Sequence, residues 1–278
     1  SAILMEQTTG QVLYEMNADA PMPPASITKI MTLLLTFEAM DQGKFQYDTL
    51  LSCSEHAASM GGSQIWLEPG EEMTVDEILR ATFISSANDA AVVLAEAVAG
   101  SEDAFVSMMN EKAKELGMEN THFANATGLD AQEHYSTARD IALMSAALLR
   151  YPDVTRYSTV WMDSLRGGTT ELVNTNKMVR FYNGATGLKT GTTNGAGSCL
   201  SASAQRDNLS LIAVSLGSDT SAYRFASCRT LLDYGFANYV TVQPPSLQEQ
   251  LTPVPVLHGV QRQVDLAYDL PPSFVMKR

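Results

Sequence analysis

The sequence predicts an α+β fold in which one antiparallel sheet, made from both ends of the chain, carries a helical lobe between them. Strand patterns open the chain, helix patterns follow from Ile27 to Leu149, and strand patterns return after Gly187. This order is typical of a sheet with helices segregated from it. With 278 residues, of which 45% are hydrophobic, the chain is long enough to bury a large core.

The amino-terminal part predicts two strands and then a buried helix. Short apolar runs at residues 2–5 and 12–14 are typical of strands. Three prolines in the following segment exclude a helix until Ser26. From there to about Gly43 the residues are apolar on most sides, as in a helix in the middle of a domain.

The predicted lobe continues with amphipathic helices. Thr74 and Glu77 have the spacing of a capping box at the start of one helix, which a polar break at residues 85–89 ends. Ser136 is the predicted cap of the last of three further helices. These three are predicted at about residues 90–99, 101–117 and 136–149.

Strand patterns return in the last third of the chain. Three runs predict hairpin-connected strands, at residues 187–192, 198–204 and 209–216. A final amphipathic helix is predicted at about residues 222–234. Prolines then punctuate short apolar pieces, so we predict one domain over residues 1–241 and the truncated start of a small β-rich domain over residues 242–278.

Composition excludes several classes of function. The net charge is −13, whereas binding to nucleic acid needs clustered Lys and Arg. Three cysteines without a Cys-x-x-Cys motif and four scattered histidines predict small buried cysteines, no metal and no cofactor. No apolar run is long enough to span a bilayer. The chain opens almost directly in a strand pattern with no signal peptide, so we expect a mature or trimmed chain, and the missing signal says nothing about the native gene.

Three short segments carry the functional prediction. They are Ser26-Ile27-Thr28-Lys29, Ser86-Ala87-Asn88 and Lys189-Thr190-Gly191, in this order and widely spaced. Each segment alone occurs often by chance. Together they form the active-site signature of serine acyl-transferases that recognise penicillin, with a serine nucleophile and a lysine base.

Ser26 is the predicted nucleophile. The i, i+3 spacing places Ser26 and Lys29 on one helix face, with Cβ atoms about 5–6 Å apart. The positive end of the helix dipole favours an alkoxide at Ser26. A Lys in an apolar helix is costly unless it is paired or neutral, and a neutral Lys29 takes the serine proton. The alternative is that Ser26 only caps the helix.

Ser86 and Asn88 lie in the polar break between two apolar helices. We predict that Ser86 relays a proton to the leaving amine. Asn88 is predicted to hold the Lys29 side chain and the substrate backbone. The alternative is an ordinary helix–helix loop in which Asn88 or Asp89 serves as a cap.

The third motif lies on a predicted edge strand, where Lys189 and Thr190 point to opposite faces. Lys189 is expected to supply positive charge for a substrate carboxylate and to keep the first motif's lysine deprotonated. Gly191 lets the substrate backbone approach closely. The backbone amides of Ser26 and Thr192 are candidates for an oxyanion hole. The alternative is an exposed lysine that blunts the sheet edge.

With these motifs the chain resembles low-molecular-mass penicillin-binding proteins of the D-alanyl-D-alanine carboxypeptidase type, almost end to end. Further matching segments are Asn120-Thr121-His122-Phe123, Gly128-Leu129-Asp130, residues 135–140, Thr192-Thr193 and residues 231–236. Residues 174–176 and 180–182 are similar to the Gram-positive, Firmicutes-type branch.

The resemblance implies a β-lactamase/transpeptidase-like fold and removal of the terminal D-Ala from peptidoglycan pentapeptide stems through an acyl-enzyme on Ser26, with β-lactams as covalent inhibitors. It implies secretion, action on the cell-wall side of the cytoplasmic membrane, and a C-terminal amphipathic membrane anchor absent from this chain. It also places Arg224 near the substrate carboxylate, with a helix-surface arginine as the alternative. Some relatives carry His where Thr192 stands here, so we expect this position to affect substrate preference.

Two other functions are compatible with part of this signature. A class A β-lactamase shares the three motifs but needs a Glu that activates the deacylating water. No Glu-x-x-Leu-Asn segment lies between the second and third motifs, and Glu119 and Glu133 stand in a different context. We therefore expect slow deacylation and a long-lived penicilloyl adduct. A non-catalytic penicillin-binding module would lack the nucleophile or the base, whereas Ser26 and Lys29 are both present.

Overall fold

The structure is a computed structural model that describes residues 1–242, 251–257, 259–266 and 273–278. The helices are α1 (Lys29–Asp41), α2 (Glu55–Ala58), α3 (Val75–Arg80), α4 (Asn88–Ala99), α5 (Glu102–Glu115), α6 (Ala138–Leu148), α7 (Val154–Ser158), α8 (Met178–Phe181) and α9 (Ser221–Asn238). The strands are β1 (Ala2–Glu6), β2 (Val12–Met16), β3 (Leu50–Ser52), β4 (Glu72–Thr74), β5 (Met162–Leu165), β6 (Thr170–Val173), β7 (Ala185–Thr193), β8 (Gly197–Arg206), β9 (Leu209–Ser218), β10 (Tyr239–Val242), β11 (Val254–Pro255), β12 (Gln263–Val264) and β13 (Phe274–Lys277).

The central sheet has five antiparallel strands in the order β2-β1-β9-β8-β7. The amino-terminal strand β1 pairs with β9, and Ala2 lies opposite Ser215. The sheet is therefore made from both chain ends with the helical lobe between them, so the predicted α+β class is confirmed.

Strand β1 shows why the sheet is covered on both faces. Successive side chains of a strand point to opposite sides. Ile3 and Met5 belong to the core shared with the helical lobe, whereas Leu4 belongs to a second core under α9. A strand that is buried on both faces reads as a continuous apolar run, as this one does.

The helical lobe differs from the prediction at one helix cap and at the break after α3. The capping box of Thr74 and Glu77 at the start of α3 is present. The predicted cap Ser136 is wrong, because the Thr137 side chain accepts the hydrogen bond from the Asp140 amide. A turn of π-helix follows α3 at Ala81–Ser85, where a polar break was predicted to start. The β3–β4 and β5–β6 strand pairs were not predicted, since their strands have only three or four residues.

The carboxy-terminal residues that the structure describes form small β pairs. Strand β10 pairs with β13, and β11 pairs with β12. The boundary between residues 241 and 242 stays a prediction, and residues 243–250, 258 and 267–272 of the second predicted domain lie outside the described residues. The cysteines are free and buried, as predicted. Among the described residues, no helix combines the length and apolar character needed to cross a bilayer.

Candidate active site

The first motif lies where a tight helical turn runs into α1. A 3-10 turn covers Ala25–Thr28, and Lys29 is the first residue of α1. Ser26 therefore lies inside the turn and not at a cap position, and neither cap position there makes a side-chain hydrogen bond. The cap-only alternative for Ser26 is wrong in this structure.

Lys29 is fully buried and its amine is held by three acceptors. Its Nζ donates to Ser26 Oγ at 3.0 Å, to Asn88 Oδ1 at 2.6 Å and to the Thr127 carbonyl at 2.7 Å. Burial, and then the positive charge of Lys189, hold the pKa of Lys29 well below its usual value, while Asp89 opposes them. These three donations belong to the protonated amine. Once neutral, the amine can keep its bonds to Asn88 and Thr127 and present its lone pair to the Ser26 hydroxyl at 3.0 Å, where it is placed to take the proton.

The second motif bends sharply to reach the first. Ser86 has a left-handed backbone, with φ of 63° and ψ of 31°, which is costly for a residue with a side chain. It is buried, and its Oγ has no hydrogen-bond partner among the described residues. A buried hydroxyl without a partner, two residues from the Asn88 that contacts Lys29, is available to a bound substrate.

Asn88 connects the lysine to the loop before β4. Its Oδ1 accepts from Lys29, and its Nδ2 donates to the Gly61 carbonyl at 2.6 Å. A Cβ at Gly62 would lie 2.8 Å from this Nδ2, so the loop needs glycine there. Asn88 is the first residue of α4, two residues earlier than predicted, and its side chain holds the lysine rather than capping the helix.

The third motif lies on β7, the edge strand of the central sheet. Lys189 is fully buried, which excludes an exposed edge lysine, and its single hydrogen bond among the described residues goes to the Thr82 carbonyl at 3.3 Å. Burial lowers the pKa of Lys189 to about 7. Thr190 Oγ1 donates to Thr175 Oγ1 at 2.7 Å.

Gly191 brings the third motif against the first. A Cβ at this position would lie 2.9 Å from the Ser26 amide nitrogen, from the Ala25 Cβ and from the Pro24 carbonyl oxygen. Only glycine fits this approach of two backbones. The strand that carries Thr192 is thereby placed beside the Ser26 amide.

Arg224 is buried on α9 and holds the end of this strand. Its Nη1 donates to the Gly191 carbonyl at 2.8 Å, to Thr192 Oγ1 at 2.8 Å and to the Cys199 carbonyl at 3.2 Å. The helix-surface alternative is wrong, because the residue is only 7% exposed. In this structure two of its contacts are with β7 and one is with the neighbouring strand β8, and its Nε has no partner among the described residues.

A loop between α5 and α6 completes the site, and the motif analysis missed its role. The Thr127 carbonyl accepts from Lys29, and the Asp130 carboxylate accepts from Thr193 Oγ1 at 2.6 Å. A Cβ on Gly128 would lie 1.8 Å from the Ala25 carbonyl oxygen. The Gly128-Leu129-Asp130 segment was a signal for this loop, but a backbone carbonyl has no signature of its own in a sequence.

The three predicted motifs thus converge, and their chemistry is that of nucleophilic catalysis. A serine hydroxyl faces a buried amine whose pKa is lowered, with a second buried amine on the neighbouring strand. No carboxylate is among the hydrogen-bond partners of Lys29 and Lys189 in the described part of the chain. Among the same residues, no group of three or more His, Cys, Asp or Glu is arranged to hold a metal ion.

Comparison with known proteins agrees with this geometry. Residues 1–220 match the sequence profile of the D-alanyl-D-alanine carboxypeptidases. The chain belongs to this family. Among the low-molecular-mass penicillin-binding proteins, it is 47% identical to the D-alanyl-D-alanine carboxypeptidase DacF of Bacillus subtilis, over 100% of this chain and 72% of that protein. The predicted family and the class of serine-type carboxypeptidase are confirmed.

Solved structures of penicillin-binding proteins share the fold. Penicillin-binding protein 5 from Haemophilus influenzae superimposes with a TM-score of 0.89 at 29% identity, over 100% of this chain and 82% of that chain. Penicillin-binding protein D2 from Listeria monocytogenes in its ampicillin-bound form superimposes with a TM-score of 0.73 at 32% identity, over 84% of this chain and 96% of that chain.

Proposed function

We propose that this protein is a D-alanyl-D-alanine carboxypeptidase that removes the terminal D-Ala from peptidoglycan pentapeptide stems through an acyl-enzyme on Ser26. The observation that carries the proposal is the 3.0 Å contact between the Lys29 amine and the Ser26 hydroxyl. Burial beside Lys189 keeps that amine deprotonated, and a deprotonated amine is a base for serine.

Acylation begins with proton transfer from Ser26 Oγ to Lys29 Nζ. The oxygen then attacks the carbonyl carbon of the penultimate D-Ala, and the resulting oxyanion is stabilised by the backbone amides of Ser26 and Thr192. The C–N bond breaks, Ser86 passes its proton to the leaving nitrogen and receives in turn the proton that Lys29 took from Ser26, and free D-Ala departs. Water then hydrolyses the ester and restores the serine.

The strand side of the site recognises the substrate's terminal carboxylate. Lys189 supplies positive charge and Thr190 supplies a hydroxyl, and a bound carboxylate keeps Lys189 protonated although its free pKa is about 7. Arg224 adds positive charge, but its two contacts with β7 and one with β8 support a role in holding the end of β7 against β8. Thr192 contributes its amide, and its side chain affects which substrates fit.

We also propose that β-lactams acylate Ser26 and that hydrolysis of the resulting ester is slow. The Listeria neighbour is an ampicillin-bound form, which supports β-lactam recognition by the shared fold. Glu119 and Glu133 are both exposed, and neither contacts Ser26 or Lys29 among the described residues. Without a carboxylate to activate water, a class A β-lactamase mechanism is disfavoured.

The substrate sets the expected location of the enzyme. Peptidoglycan lies outside the cytoplasmic membrane, so we propose that the protein acts on that side after secretion. The amphipathic anchor expected from the resemblance would lie outside this chain and stays a prediction.

An intact-mass time course with benzylpenicillin tests the proposal, together with D-Ala release from a pentapeptide. We expect a stable one-to-one adduct and D-Ala release, both abolished by Ser26→Ala. Ser107→Ala, an exposed serine on α5 that bonds only to its own helix, is the matched control and should behave as wild type. D-Ala release by Ser26→Ala would remove Ser26 as nucleophile, and rapid formation of free penicilloic acid would favour a β-lactamase. The absence of both adduct and hydrolysis would favour a non-catalytic module.

A further inference from the structure

His134 is a buried histidine with a fixed proton position. It is 5% exposed. Its Nδ1 accepts from the Ala124 backbone amide at 2.9 Å, so Nδ1 carries no proton. Its Nε2 lies 2.8 Å from Thr28 Oγ1 and is therefore the protonated nitrogen, which donates to that hydroxyl. Both ring nitrogens are used, and the neutral tautomer is the one that satisfies both contacts.

These two contacts connect the catalytic turn with the loop that supplies the Thr127 carbonyl. Thr28 stands between Ser26 and Lys29 in the chain. Ala124 lies three residues before Thr127. The imidazole thus bridges the two backbone segments whose separation sets the geometry around the lysine amine.

The same loop touches α1 at two neighbouring points. The Ala126 carbonyl accepts from Thr32 Oγ1 at 2.7 Å, and the Thr127 carbonyl accepts from Lys29 Nζ at 2.7 Å. Without the imidazole bridge, the loop would keep its contact with Thr32 and the packing of Gly128 on Ala25. It would lose the link from the Ala124 amide to Thr28 in the turn that carries Ser26.

We propose that His134 is a positioning residue, which holds the Thr127 carbonyl against the Lys29 amine and so aligns that amine with Ser26. This role rests on the proposed function of the site. An error of about 1 Å in such an alignment costs about 100-fold in rate. The carbonyl also favours the ammonium form of Lys29, because it accepts hydrogen bonds and donates none.

The surroundings of His134 keep it neutral over the working range. Burial and the nearby His122 lower its pKa to about 4, while Asp130 opposes them. The Phe123 ring meets it edge-on at 5.9 Å between ring centroids. An imidazolium would face the Ala124 amide with a second donor, so the bridge requires the neutral ring.

The test compares acylation by benzylpenicillin across pH in the wild type, His134→Ala and His134→Gln, with rates normalised to titrated active sites. In His134→Ala we expect the plateau rate per active site to fall about 10- to 100-fold. The acid limb of the profile of acylation rate against pH should move to lower pH, because the loss of the carbonyl acceptor lowers the pKa of Lys29. A glutamine amide offers one acceptor and one donor as the ring does, so His134→Gln should restore both features. Ser107→Ala, at an exposed position on α5, is the control and should match wild type.

Thr28→Val removes the same contact from the other side and keeps the side-chain shape, so it serves if His134→Ala does not fold. Thr28→Val should lower the acylation rate and move the acid limb to lower pH, as His134→Ala does. Unchanged rates per active site and unchanged acid limbs, with only a lower melting temperature, would show a structural role and overturn the proposal. If the wild type itself forms no adduct, the proposed function fails first, and the role of His134 fails with it.

Discussion

The two buried lysines of the site differ in how the protein holds them. Lys29 has three hydrogen-bond acceptors from three segments, at 2.6 to 3.0 Å. Lys189 has one, the Thr82 carbonyl at 3.3 Å, among the described residues. Both are fully buried, and neither has a carboxylate hydrogen-bond partner in the part of the chain that the structure describes. The first amine is fixed by the protein, whereas the second keeps donors that are free for the ligand we propose.

This difference separates the expected effects of changing each side of the cleft. Changes at the Lys29 side should affect the rate of acylation. Changes at the Lys189 side should affect the binding of anionic substrates and the pH at which Lys29 becomes neutral. The following four changes are ordered from the largest expected effect to the smallest.

Removing the Lys29 amine should have the largest effect. In Lys29→Met the buried apolar part is kept and the base is lost, so we expect acylation by benzylpenicillin to slow by about 10²- to 10⁴-fold. Stopped-flow or mass-based acylation rates measure it. Lys114→Met, at an exposed position on α5, is the matched control. A loss below tenfold would mean that another group deprotonates Ser26.

Removing the Lys189 amine should act mainly on binding and on pH dependence. In Lys189→Met we expect a loss of about 10- to 100-fold in kcat/KM for a pentapeptide, since a hydrogen bond to a charged group is lost. The pKa of Lys29 should rise when its positive neighbour is removed, so the acid limb of the rate profile should move to higher pH.

The same variant should change the basic side of the profile. In the wild type, substrate affinity should fall as pH rises above about 7, where free Lys189 loses its proton. That fall should be absent in Lys189→Met. An acid limb identical to wild type would contradict the electrostatic link between the two amines.

Arg224→Met should have an intermediate effect, because Arg224 supports the strand beside Lys189. The Gly191 and Cys199 carbonyls would lose a donor, and we expect kcat/KM to fall by about tenfold. Arg229→Met, an exposed residue on the same helix, is the control. If Arg224→Met raised KM as much as Lys189→Met does, Arg224 would instead contact the substrate carboxylate.

Thr192→Val should have the smallest effect. It keeps the backbone amide and the branched shape, and it removes the hydroxyl that donates to the Gly191 carbonyl at 2.8 Å and accepts from Arg224. We expect a decrease of about threefold in kcat/KM, the size of one neutral hydrogen bond. A decrease as large as that of Lys29→Met would mean that the Thr192 side chain takes part in acylation.

The residues on the Lys29 side of the cleft were more predictable from the sequence than those on the Lys189 side. The i, i+3 spacing of Ser26 and Lys29 predicted their contact, since a helical turn has a fixed geometry. The approach of Gly191 to Ser26 was not predictable from spacing, because it depends on where the sheet packs against the turn.

Some features of the site have no local signal at all. The carbonyl of any residue can serve as an acceptor, so nothing in the side chain of Thr127 marks its role. The left-handed backbone of Ser86 is unusual for serine, and tertiary packing imposes it. The fold was more predictable than the site, since apolar periodicity reports burial directly.

The pairing of β1 with β9 has a consequence for how the molecule is assembled over time. Ala2 and Ser215 lie opposite each other. The first strand can therefore pair with β9 only after more than two hundred further residues have been synthesised. Contacts of such long sequence separation slow folding, because loop closure precedes any gain from pairing. The lobe with Ser26 and Lys29 leaves the ribosome well before β7 with Lys189. A newly made chain therefore contains the first motif before it has the strand that carries the third.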